Sequence, residues 1–509
     1  MSRTQRSAVN YASSLLLQAI TLATGILSTP LILNWLGDDR FGALRSAGDW
    51  LGHLKILELG LGGSLLPVLA IAVAQGNRAQ VELTVAVGIR AYCKVLLLML
   101  GAAVMLSFAL LHLVPVQPSL ALDLQAAYWI GVLGSFLLPL TPFRLLTEAS
   151  QRSDIVNLSF VLQSLIITGA SLYLAAQGMG MAGQALAVII GVIVATILIS
   201  WKSIRQYPSA LRIVFSAPTE AMQPIRKQLQ KLSIPTLIYS LSGQIGLFTD
   251  NLVIAYFLGP ASVVPFVMTQ RLFAIAQSQV QSVGNATWSG LADLYAKGEL
   301  GQFNLRLVQL TKLVVTSGLM LMIPILLYNP QFVQLWVGSE RFAGMGVSTL
   351  AAINAVTMGV LSLWGWCFSG TGNIARIARM SMFASLLNIS VSLLATPALK
   401  LTGPLLGTFV SFFGLYLWGM LYHLKHQFGS SPRALLAAIV HPCLLAALYV
   451  PEVAWFAHSY PPKSWIELGA SMVFTAVIFL MLAWFTLLKP EERYQWRKRV
   501  MQLSPLPHL

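Results

Sequence analysis

Residues 36–74 read LGDDRFGALRSAGDWLGHLKILELGLGGSLLPVLAIAVA. The stretch is apolar enough to cross a bilayer, yet Arg45, Asp49, His53, Lys55 and Glu58 stand in its middle. At about 100° per residue, one continuous helix would gather Arg45, Asp49, His53, Gly60, Gly63 and Pro67 within an arc of about 80°. Lys55 and Glu58 would lie on another side. A charge at the centre of a membrane helix costs about 2.5–3.5 kcal/mol on insertion scales, so such groups belong against water or a partner. The helix is therefore predicted to line a hydrated cavity. Gly60, Gly63 and Pro67 are candidate hinges with a bend among them, though small residues also serve close helix packing.

The stretch recurs. A shift of 222 positions carries Leu36 and Gly37 onto Leu258 and Gly259, Gly62 onto Gly284, Leu69 and Ala70 onto Leu291 and Ala292, and Gly76 onto Gly298. No gap is needed from residue 36 to residue 80. In the second copy Arg271, Ser278, Ser282, Asn285 and Ser289 take the places of Asp49, Ile56, Gly60, Gly63 and Pro67. Polar groups at the seam of an internal duplication are the pattern of secondary transporters.

Composition places the chain in lipid. Of 509 residues, 56% are hydrophobic and 10% charged, and the mean hydropathy is +0.74. A span needs about 20 apolar residues, and the reading is an all-α membrane protein of about fourteen transmembrane helices. Two six-helix lobes repeat in parallel around a central cavity, because an even number of spans gives both halves the same orientation. The expected organisation is an N-lobe (1–203), a cytoplasmic linker (204–231), a C-lobe (232–424), and two extra spans with a basic tail (425–509). Pro139 and Pro142 predict a bend, and the linker has room for an amphipathic helix.

The net charge of +15 is topological. With both termini in the cytoplasm, 22 Lys and Arg fall on inner segments against four outside, namely Arg40, Arg341, Lys400 and Lys463. That is the positive-inside bias of a multi-pass protein, and no soluble basic domain with interleaved aromatics argues for nucleic acid. The start shows no cleavable signal pattern. Cys93, Cys367 and Cys443 lie far apart in spans and read as packing residues, with no metal framework. Trp336 reads as a headgroup-level anchor.

The quoted turn resembles the "LG…(Y/F)G…W…L(D/E)LGLG…" opening of polysaccharide-type flippases of the MOP (multidrug/oligosaccharidyl-lipid/polysaccharide) exporter superfamily, a group that includes O-antigen and exopolysaccharide flippases. TDNLVIAYFLGPASVVPFVMTQRL, at 249–272, is similar to their "D…I…FLG…V…Y…RL" segment, and LADLYAKGEL and QLWVG fall where that family has like sequences. The resemblance spans residue 10 to about 425. It implies transport without enzymatic activity, in a bacterial cytoplasmic membrane. The implied cargo is a polyprenyl-diphosphate-linked oligosaccharide moved to the outer leaflet by alternating access, and polysaccharide polymerase machinery and membrane lipids are the implied partners. Fourteen spans also occur among lipid II flippases, although a dense arginine cluster in the early helices is missing here.

The residues fit that chemistry. Arg45, Lys55, Arg90, Lys94, Arg271 and Lys312 lie within or at the edge of spans, against Asp49, Glu58 and Asp250. A net basic chamber suits a diphosphate, and guanidinium forks bind phosphate oxygens in pairs. Arg45, Arg271 and then Lys55 are the candidate diphosphate ligands. Gln244, Gln277 and Asn285 would meet sugar hydroxyls. Asp49, His53, Glu58 and Asp250 are the candidate coupling groups for protons or sodium, with His53 alternatively a structural residue held by Asp49. Arg90 and Lys94 either guard a cytoplasmic way in or snorkel to the interface. No cofactor is expected. Rival readings are a cation-coupled multidrug exporter, whose cargo would want an acidic cavity, and a membrane glycosyltransferase or ligase, which would want a large outer loop with paired carboxylates. No GxxxxGK[ST] loop is present for ATP.

Overall fold

The computed structural model describes residues 3–58, 60–216, 218–488, 490 and 493, and their side chains except at 3–5, 7, 8, 55, 56, 219, 230–248 and 375. The described residues form helices and no strands. They divide into two compact units, Met1–Val264 and Pro265–Leu509.

The first unit holds α1 (Arg3–Leu36), α2 (Asp38–Leu54), α3 (Leu61–Ala74), α4 (Arg78–Leu113) and α5 (Pro118–Leu133). It continues with α6 (Thr141–Ala149), α7 (Ser153–Ala176), α8 (Gly180–Gln206), α9 (Ser209–Ser216) and α10 (Thr219–Leu258). The second holds α11 (Val263–Ala296), α12 (Leu300–Val337), α13 (Met345–Gly370), α14 (Ala375–Leu399) and α15 (Gly403–Phe409). A π-helical turn, Val410–Tyr416, leads into α16 (Leu417–Phe428), and α17 (Pro432–Ser459) and α18 (Trp465–Thr486) follow.

The 222-residue repeat extends well past the stretch where the sequences agree. The starts of α4 and α12 differ by that offset, as do those of α7 and α14, and the ends of α8 and α16. Gly37 and Gly259 both take positive φ, at 77° and 86°, and Gly76 and Gly298 do the same at 67° and 76°. Glycine meets no Cβ penalty there, so the same two turns are built twice.

The copies differ where the first was read as one helix. After Leu54 the chain takes a short 3₁₀ turn, Lys55–Glu58, and Gly60 adopts the left-handed conformation (φ 67°, ψ 16°) before α3 begins. The expected bend is there, but a break of this kind means that no single face runs from Arg45 to Pro67. Arg45, Asp49 and His53 share a face of α2, while Gly63 and Pro67 are exposed on α3. The second copy has Ser282 where Gly60 stands, and α11 runs through unbroken for 34 residues. Around Pro139 the helix likewise tightens into a 3₁₀ segment, Gly134–Leu140, between α5 and α6.

Ten described helical stretches are long and apolar enough to cross a membrane. One of them, Arg376–Phe428, turns back on itself at the 3₁₀ residues Lys400–Thr402. Leu61–Ala74 is apolar but short, because the break after Leu54 parts α3 from α2, and the amides of α11 dilute its hydropathy, so neither is among the ten.

Local chemistry pins the helix ends. The Asp123 carboxylate accepts the N–H groups of Met181 (2.9 Å) and Ala182 (3.0 Å), placing an anion at the N-terminus of α8, and Arg40 lies 3.7 Å away. Asn77 caps α4 by accepting from the Gln80 N–H. The linker carries the amphipathic α9, which buries Ala210 and Val214 and leaves Phe215 exposed. In the second unit, Trp364 Nε1 donates to Thr311 Oγ1 in a core with Phe303, Phe368 and Phe428. Trp336 is buried beside Phe332, ring centroids 5.3 Å apart, so it packs the unit's interior. All three cysteines are free, with Cys367 buried and Cys93 and Cys443 exposed.

Candidate functional site

In the first unit, α2 and α10 pack together and bring the predicted acids close. The Asp49 side chain is 5% exposed, and its Oδ2 accepts from Asn251 Nδ2 at 2.6 Å. Arg45, one turn earlier and 53% exposed, places its Nε 4.0 Å from Asp49 Oδ1. Asp250, adjacent to Asn251, is half-buried within electrostatic reach of Asp49, and its Oδ1 is buried with no hydrogen-bond partner among the described residues. The result is two carboxylates and one amide, with an arginine at the rim.

His53 is held through Asp49's backbone. Its Nδ1 donates to the Asp49 carbonyl at 2.9 Å, and its ring lies 5.8 Å from that of Trp50. The histidine thus closes a turn of α2 onto the Asp49 carbonyl. Glu58 accepts a hydrogen bond from the Tyr92 hydroxyl of α4, so this acid is engaged in packing the 3₁₀ turn. Gly62 leaves room for that contact, since a Cβ there would stand 3.2 Å from Glu58 Oε1 and 3.4 Å from the Tyr92 hydroxyl. The side chains of Lys55 and Gln244 lie outside the described residues.

Two further basic residues tie helices together. Arg90 Nε donates to the Val214 carbonyl at 2.7 Å, which ties α4 to α9, while Lys94 one turn along is exposed. Arg90 therefore holds the linker helix. In the second unit Lys312 Nζ donates to the Leu487 carbonyl just past α18, which fastens the last helix.

The second unit's candidate surface is α11. Arg271 is half-buried with its Nε out of solvent. Ser278, Ser282, Asn285 and Ser289 continue its face and are exposed, and Gln277 is half-buried beside them. Arg45 stands seven residues into α2 and Arg271 eight residues into α11, about 10–12 Å from the respective helix starts. Side chains that the sequence reading did not nominate contribute here. Asn251 was visible as a polar residue in an apolar helix, but Tyr92, which meets Glu58, carried no signal distinguishing it from ordinary aromatic packing.

No protein-family model and no curated sequence matches the chain. Solved structures do. An inward-facing multidrug resistance MATE family transporter of the MOP superfamily aligns with TM-score 0.65 at 16% identity, over 82% of this chain and 99% of its own. The lipid II flippase MurJ, in an inward closed conformation, aligns with TM-score 0.69 at 12% identity, over 96% of this chain and 100% of its own. A MOP superfamily transporter from Pyrococcus furiosus, described as having a binding pocket of reversed polarity that suggests a different function, aligns with TM-score 0.56 at 17% identity, over 82% and 96%. The chain has the all-helical fold of MOP superfamily transporters.

Proposed function

We propose that this protein is a flippase that carries a polyprenyl-diphosphate-linked oligosaccharide, an O-antigen or exopolysaccharide repeat unit, from the inner to the outer leaflet by alternating access. The observation that carries the reading is the pair Arg45 and Arg271. In a fold otherwise built for hydrocarbon, each repeat sets an arginine about 10–12 Å inside a helix on its polar face. A guanidinium at that depth suits a phosphate-bearing headgroup and opposes a cationic drug. Extension of the lipid II flippase match over 96% of the chain, against 82% for the multidrug transporter, also favours lipid-linked cargo, and lipid II itself is the second reading.

Coupling falls to Asp49 and Asp250, with protons or sodium as the driving ion. The protein works in the bacterial cytoplasmic membrane with both termini inside, among anionic lipids and beside polysaccharide polymerase machinery. The test is transfer of a fluorescent polyprenyl-diphosphate oligosaccharide across reconstituted vesicles. Arg45→Gln and Arg271→Gln should each weaken uptake about tenfold or more, since a hydrogen bond to a charged group is worth about 1.5–3 kcal/mol. Transfer that ignores both substitutions overturns the reading.

A further inference from the structure

Trp288 of α11 and Trp366 of α13 stack with ring centroids 5.8 Å apart and planes 21° from parallel. Both lie in the second unit. Each ring is seated on a glycine of the opposite helix. A Cβ on Gly284 would stand 3.2 Å from Trp366 Cδ1, and one on Gly370 would stand 2.9 Å from Trp288 Cε3. Gly284 precedes Trp288 by one helical turn, and Gly370 follows Trp366 by one turn. The contact is thus reciprocal, and neither indole can sink further without meeting backbone. Trp288 nonetheless remains 37% exposed.

Its neighbours on α11 are polar. Gln281, Asn285 and Trp288 fall within an arc of about 60°, with Asn285 exposed and Gln281 half-buried. A flat, fixed, partly exposed aromatic surface bordered by amides is the arrangement that a pyranose requires. A sugar whose hydroxyls are equatorial presents axial C–H bonds on both faces of its ring, and either weakly positive face can lie on the negative face of an indole. The ring's edge then offers hydroxyls that both donate and accept, which amides satisfy from both sides.

We propose that the Trp288–Trp366 stack is the sugar seat of this transporter and selects gluco-configured pyranoses. The inference rests on the lipid-diphosphate reading above and adds the recognition of the glycan to it.

Trp288 lies 17 residues beyond Arg271, about 25 Å along α11. Two probes therefore separate the two ideas, farnesyl diphosphate and farnesyl-diphosphate-linked chitohexaose, whose glycan is long enough to span that distance. Dissociation constants are measured on the full chain in lipid nanodiscs. The wild type should hold the glycosylated probe about tenfold more tightly than the bare one, the scale of one aromatic contact. Trp288→Leu, which keeps apolar volume without the flat ring, should abolish that difference and leave binding of the bare diphosphate unchanged. Trp288→Phe should retain part of it. The unchanged binding of farnesyl diphosphate also reports that the variant is folded. Equal binding of both probes by the wild type, or an equal loss of both in Trp288→Leu, overturns the sugar seat alone. Failure of the wild type to bind either probe overturns the sugar seat and the diphosphate reading together.

Discussion

Asn251 donates to Asp49 across 202 positions of sequence, joining α10 to α2 through a 2.6 Å hydrogen bond to a carboxylate that is nearly sealed from solvent. The bond decides which residue can be changed without loss of the fold. Asn251→Ala takes a donor from a buried anion and should cost about 1–3 kcal/mol. Asn251→Asp should cost more, because it crowds a third carboxylate beside Asp49 and Asp250. Asp49→Asn keeps a hydrogen-bonding partner and should melt close to the wild type while losing ion-driven transport. Thermal unfolding in detergent, paired with transport under an imposed proton or sodium gradient, checks all three. An Asn251→Ala protein that melts with the wild type would remove the structural importance of this bond.

Gly60 and Ser282 occupy equivalent places in the repeat, and only the first sits in the left-handed region. Gly60→Ala should therefore strain the junction of the 3₁₀ turn with α3 by about 1–2 kcal/mol. Ser282→Gly weakens the interior of α11 by about 0.5–1 kcal/mol and leaves its path unchanged. If Gly60 is a hinge, Gly60→Ala should slow transport out of proportion to its melting shift, and Ser282→Gly should not. A matched loss in the two variants would reduce Gly60 to a helix stop.

The Tyr92–Glu58 contact makes a third case. Tyr92 is buried in the cluster with Leu65, Phe143 and Leu146, and its hydroxyl points at the one acid of the 3₁₀ turn. Tyr92→Phe leaves Glu58 without that donor and should destabilise by about 1–3 kcal/mol. Glu58→Gln keeps a carbonyl to accept the hydroxyl proton, so it should cost less than Glu58→Ala. Chemical denaturation of the detergent-solubilised protein orders the three. Glu58→Gln falling as far as Glu58→Ala would show that the charge, and not the hydrogen bond, holds the turn.

How much of this could be read beforehand follows from the range of each interaction. The repeat was legible because it is carried by glycines at turns with positive φ, where few other residues fit, and by polar residues at helical spacing in apolar surroundings. Gly37, Gly76, Gly259 and Gly298 announced themselves in that way. The break at Gly60 was legible as a bend, but its consequence for the face from Arg45 to Pro67 was not, since a helical wheel assumes continuity. The partners of Arg90, Glu58 and Lys312 were not legible at all. Each reaches a carbonyl or hydroxyl on another helix, and a backbone carbonyl carries no residue identity for a sequence pattern to register. A basic residue in a membrane helix therefore reads alike whether it faces cargo or clasps a neighbouring helix end.

Lys312 gives the sharpest test of that distinction. Its ammonium reaches the Leu487 carbonyl beyond the end of α18, where unpaired carbonyls and the helix dipole favour a cation. Arg493 does similar work nearby, donating to the carbonyls of Phe485 (2.5 Å) and Leu488 (2.9 Å). α12 also packs against α17 and α18 along their lengths, with Ile323 meeting Tyr449 and Phe479 in a shared apolar cluster. Lys312→Met keeps the stem's packing and removes the charge. It should free the C-terminal end of α18 for proteolysis after Thr486 and lower the melting temperature by about 1 °C, the effect of about 1 kcal/mol in a protein of this size. Binding of farnesyl diphosphate should stay within a factor of two of wild type, whereas Arg45→Gln and Arg271→Gln lose about tenfold. A Lys312→Met protein with an intact α18 and a tenfold loss of diphosphate binding would return this lysine to the cargo site, and the fastening described above would then be incidental.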